Sequence, residues 1–131
     1  MSSTIGAAEV SRAQLWTGRV LWFLTVPFLI MDAGMHIAKP APVLEACQKL
    51  QFPVGAMTWL GLVQLVCLAL YLIPRTAVLG GVLLTGYLGG AVATHLRVGD
   101  PLWFPILLGA LLWISLYCRD ARVRALISPS K

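Results

Sequence analysis

The first residues in this chain able to do chemistry are an aspartate and a histidine four positions apart inside an apolar run. Asp32 and His36 interrupt the stretch that begins near Val20. Four residues is about one helical turn, so both side chains fall on one face. An ionisable group at membrane depth costs a few kcal/mol on insertion scales and is a functional candidate by default. A helix rises about 1.5 Å per residue, which puts Asp32 roughly 18 Å from Val20 and about 12 Å below the far interface. Counted from Gly55, Gln64 lies about 13 Å below the same interface. A hydrogen bond between Asp32 and Gln64 is expected if their two helices face each other.

His95, Arg97 and Asp100 arrive together where a later apolar run ends. With His36 near the same level, the expectation is one polar layer: Asp32, His36, Gln64, His95, Arg97 and Asp100, with Tyr87 and Thr85 deeper. Each member has a plainer reading. Asp32 and His36 satisfy each other as an i,i+4 pair; His95 and Arg97 mark an interface; Asp100, followed by Pro101, caps a helix. Two histidines and a carboxylate are metal-ligand types, but their spacing matches no ligand motif, and no metal is expected. Loosely spaced histidines support haem less still. There is no Walker loop, dinucleotide fingerprint, nucleophile elbow or HExxH, so no catalytic residue is assigned.

Cys47, Cys67 and Cys118 form neither a CxxC nor a disulfide framework. Cys67 and Cys118 sit in apolar runs as small hydrophobes. Cys47 lies between runs and is expected to be the exposed thiol.

The elements that must position these groups follow from composition. Of 131 residues, 59% are hydrophobic and only 11% charged, and mean hydropathy is +0.84. A soluble domain is about a quarter charged. Most of this surface must therefore face lipid. The expectation is an all-α integral membrane four-helix bundle, one domain over 1–131, spans about 16–38, 55–73, 77–96 and 102–118. A short amphipathic surface helix over about 43–50 lies between the first two spans, with Val43, Leu44, Cys47 and Leu50 on one face. Residues 1 to about 10 read as disordered. Ser11 with Gln14 matches a capping box, Pro27 should kink the first helix, and that first run is too long for a cleaved signal peptide.

The net charge of +5 is gathered at the ends of the runs, where it meets anionic lipid heads; it forms no nucleic-acid stripe. Four spans put both termini on one side, with Arg12, Arg19, Arg75, Arg119, Arg122, Arg124 and Lys131, against Lys39, Lys49 and Arg97 on the other. The positive-inside rule then makes the termini cytoplasmic, in the plasma or inner membrane. The third span carries Gly86, Gly90 and Thr94 on one face, a small-residue pattern for close helix packing, either within the bundle or to a second copy.

Tyr71-Leu-Ile-Pro-Arg-Thr-Ala-Val-Leu-Gly-Gly, then Leu84-Thr-Gly-Tyr-Leu-Gly-Gly-Ala and Thr94-His-Leu-Arg-Val-Gly-Asp-Pro101, resemble the DoxX-like family of small four-span membrane proteins. The resemblance extends to the Asp32 region, the Pro42–Pro53 segment and the Arg119-Asp-Ala-Arg-Val-Arg tail. Two positions depart from the family pattern: Gln64 stands where a glutamate is usual, and His36 where a lysine is common. A proton-handling role carried by that glutamate does not transfer. The resemblance implies an accessory subunit of a membrane redox or oxidative-stress complex, with a quinone as candidate cofactor and a membrane or soluble redox protein as partner. In that reading His36 and His95 bond quinone carbonyls, and Asp32 takes or orients a proton. Two other readings stand beside it: a non-catalytic scaffold built on the glycine-rich third span, and a small transporter.

Overall fold

A computed structural model describes residues 10–127. The N-terminal segment expected to be disordered, up to residue 9, and Lys131 of the basic cluster lie outside those residues. Six helices follow one another: α1 Arg12–Ala38, α2 Ala41–Lys49, α3 Val54–Leu72, α4 Ala77–Arg97, α5 Trp103–Arg119 and α6 Ala121–Ile127. No strand occurs among the described residues.

The long helices form a ring. α1 packs against α3 and α5, and α4 packs against the same two, so α1 lies diagonally from α4. α1, α3 and α4 are long and apolar enough to cross a bilayer, and α5 with α6 is a fourth candidate through a bend of 108°. Alone, α5 has 17 residues, the short end of the range for a span. The bend falls at Asp120, whose backbone is extended. Apolar side chains cover the outside, among them Phe23, Trp59, Val66 and Trp103. That surface suits lipid contact, since a soluble monomer rarely exposes contiguous apolar patches of this kind.

Local sequence explains most boundaries. Ser11 accepts from the Gln14 amide at 3.1 Å and starts α1, which runs as one helix through Pro27. α1 ends at Lys39 in the left-handed region, φ 51°, and Pro40 prevents its continuation. Gln51, φ 52°, turns the chain again after α2. The Pro74-Arg75-Thr76 turn makes α3 and α4 an antiparallel hairpin. It closes on Gly80, where a Cβ would collide with the Tyr71 backbone. Gly61 lets α3 approach α1 similarly: a Cβ there would sit 2.8 Å from the Ala33 carbonyl oxygen.

Two expectations are corrected here. Cys47 is buried, 2% exposed, because α2 lies down on the bundle through Val43, Cys47 and Leu50. Asp100 does not cap α5, which starts at Trp103 after Leu102 with no side-chain cap. Lys49 takes the Asp100 carboxylate instead, at 2.8 Å. Within the chain the close approach on α4 is made at Gly80 and Gly81, and a Cβ at Gly86, Gly89 or Gly90 would meet nothing within 4 Å, which leaves the second-copy alternative for the Gly86–Gly90 face.

At the end that carries the termini, a polar knot joins three helices. Ser115 Oγ donates to the Gly18 carbonyl at 2.8 Å. Tyr71 Oη donates to the Leu112 carbonyl at 3.0 Å, and Arg119 reaches Ser115 Oγ at 3.2 Å and Tyr71 Oη at 3.3 Å. Arg119 is thus bound into the bundle rather than standing beyond it as a flanking charge.

Candidate functional site

At the opposite end the ring opens into a cavity of about 530 Å³ between the four long helices and the α2 segment. This volume lies within the range of small-molecule pockets, about 300–1,000 Å³. Its apolar lining comes from Phe28 and Leu29 of α1, Met57 and Leu60 of α3, and Phe104 and Leu108 of α5, with Phe52 near the α2 end. Asp32, His36, Tyr87, Thr94 and His95 supply its polar atoms.

The expected polar layer separates into three parts. Asp32, His36 and His95 line the cavity. Gln64 stands behind Asp32, fully buried: its Nε2 donates to Asp32 Oδ2 at 3.0 Å and to the Leu29 carbonyl at 3.1 Å. The hydrogen bond expected between helices one and two of the spans is therefore present, with the amide as donor. Arg97 and Asp100 turn away to hold α2. Arg97 Nη2 donates to the Leu50 carbonyl at 2.9 Å, and Asp100 pairs with Lys49. Thr85 also leaves the site, because its Oγ1 accepts from Trp113 Nε1 at 2.7 Å on the α4–α5 seam. Tyr87, two positions on, faces the cavity.

The two histidines differ in what they offer. His95 Nδ1 lies 2.8 Å from the Ala91 carbonyl oxygen. A carbonyl only accepts, so Nδ1 carries a proton, and the neutral ring presents Nε2 as an acceptor. His36 Nδ1 is 3.6 Å from Asp32 Oδ2, too long for a hydrogen bond. It is buried and has no hydrogen-bond partner among the described residues, as is Gln64 Oε1. Buried polar atoms are nearly always paired, and leaving one unpaired costs about 1–3 kcal/mol. No group of three or more potential metal ligands occurs among the described residues.

Sequence reasoning missed the aromatic side of the site. Phe28 and Phe104 meet edge to face, centroids 5.3 Å apart, and join α1 to α5 in the cavity lining. Only their placement in two helices that become neighbours reveals it. Chain comparison adds one finding: the model of the DoxX-like family matches residues 20–115, which takes in every cavity-lining position named above. No curated protein and no solved structure matches the chain.

Proposed function

This chain belongs to the DoxX-like family, and on that premise we propose that its cavity binds the ring of a lipid-soluble quinol–quinone pair, in an accessory subunit of a membrane redox or oxidative-stress complex. The observation that carries the reading is the cavity's mixed lining: polar groups on two diagonally placed helices, Asp32 and His36 of α1 and Tyr87, Thr94 and His95 of α4, amid apolar and aromatic surface. An amphipathic ring with two oxygen substituents matches that lining.

The donor and acceptor pattern favours the reduced form. Asp32 accepts from Gln64, and His95, with Nδ1 turned to the Ala91 carbonyl, presents an acceptor at Nε2 in its neutral form. Both are suited to a phenolic hydroxyl, which donates. The Tyr87 hydroxyl can bond a quinone oxygen in either redox state. In this scheme the chain binds and orients the ring and receives protons at His95 or Asp32, and a redox partner exchanges the electrons. A cytoplasmic side for the termini belongs to the same reading, and six arginines at that end among the described residues support it. At the other end Lys49 and Arg97 are each engaged by α2 contacts.

The test is a titration of a short-chain benzoquinol into the full chain in nanodiscs. A hydrogen bond to a charged group contributes about 1.5–3 kcal/mol, so Asp32→Asn should weaken binding about tenfold or more. His95→Ala should weaken quinol more than quinone, because the lost group is an acceptor. Equal binding by the wild type and both variants rules the assignment out.

A further inference from the structure

We propose that the cavity opens sideways into the bilayer through a portal between α3 and α4, framed by Gly86 and Gly90, and that a single hydrocarbon chain lies in it. This deepens the quinol reading and rests on the same cavity, but its test is independent of the ring. Gly86 and Gly90 both line the cavity and are both exposed. A Cβ at either position meets nothing within 4 Å. On α4 they share a face with the exposed Val82 and Leu83, so the cavity lining runs into the outer surface there.

The direction follows from the helix. α4 meets α3 at Gly80 and α5 at Gly81. At about 100° per residue, Gly86 and Gly90 fall on the α3 side of that stripe, next to Tyr87. The facing wall on α3 is Leu60. The hairpin is tight at its turn, where Gly80 admits no side chain, and its seam is open further along. Gly90 lies about 10 Å and Gly86 about 16 Å along the helix from Arg97. Both depths are inside a hydrocarbon core about 30 Å thick, so the portal meets acyl chains rather than water. Val63 and Val66 on α3 and Val82 and Leu83 on α4 are exposed beside this seam, which keeps its surroundings apolar. Paired glycines leave a groove with backbone for its floor, and a flexible chain fits such a groove better than a ring does.

The experiment reconstitutes the full chain in vesicles of a phospholipid bearing a diazirine midway along one acyl chain, followed by photolysis and peptide mapping. Wild type should be labelled at Leu60 and Tyr87, inside the cavity. The double variant Gly86→Leu, Gly90→Leu should lose that label while keeping its helical circular dichroism, since the leucines enter open space and glycine is the weaker helix former. Label confined in wild type to exposed positions such as Val66 and Val82, or equal cavity labelling in the variant, overturns the portal. So does a wild-type dimer that the leucines dissociate with no cavity label in either protein, because the glycines then seat a second copy. Quinol binding that fails while acyl labelling succeeds removes the ring assignment and leaves the portal standing.

Discussion

The contact between Asp32 and Gln64 is the residue-scale centre of the site. An amide at this position donates to the carboxylate, where two carboxylates would have to share a proton to stand so close. Gln64→Leu removes the donor from Asp32 and should cost about 1–3 kcal/mol; a denaturation midpoint in detergent equal to wild type would contradict the assigned role. Asp120 gives a pH prediction at the opposite end, outside the spans. Arg122 donates to its two oxygens at 3.1 and 2.7 Å and so holds the carboxyl below its ordinary range. An unfolded aspartate titrates at about 3.9. The stabilisation is therefore complete above that value and is lost as pH falls through the lower folded value. Thermal midpoints of wild type and Asp120→Asn should differ at neutral pH and converge in acid; a gap that stays constant to the lowest pH speaks against the pairing.

Among the elements, α2 and the α3–α4 turn make contrasting predictions. α2 is tied to the α4–α5 turn by Lys49–Asp100 and Arg97–Leu50, with Lys49 largely in solvent. Exposed ion pairs contribute about 0–1 kcal/mol. Lys49→Met should thus leave the bundle's stability nearly unchanged while speeding amide exchange in α2; exchange confined to wild-type rates would show that Val43, Cys47 and Leu50 alone seat the helix. Gly80→Val, by contrast, places a side chain against the Tyr71 backbone and should abolish the folded hairpin, read as loss of monodisperse protein on extraction. The long helices, their order and the α2 amphipathicity were legible in the sequence, because apolar runs, proline turns and Ser11 are local features. α6 was not. Its seven residues carry two arginines, and Arg122 bonds the Pro74 and Arg75 carbonyls, which only the fold brings near. Spacing alone marks Gly86 and Gly90 as a packing face; which glycines a helix of the same chain reaches depends on where the hairpin is pinned, and Gly80 pins it.

For the whole molecule, the two ends of the ring have different tasks. The end with the termini is closed by the Gly18, Ser115, Tyr71 and Arg119 knot, while the α2 end is open around Asp32, His36 and His95. The depth match of Asp32 with Gln64 came from counting residues from the interface. The separation of Arg97 and Asp100 from the cavity did not, since it depends on α2 folding back over the bundle. The family places the chain among small membrane proteins, and the cavity gives that assignment a ligand-sized feature to test. Native mass spectrometry of the protein released from its own membrane in mild detergent tests the central claim most directly. Wild type should carry a bound quinol or quinone that Asp32→Asn has lost; phospholipid alone on both proteins would contradict the account.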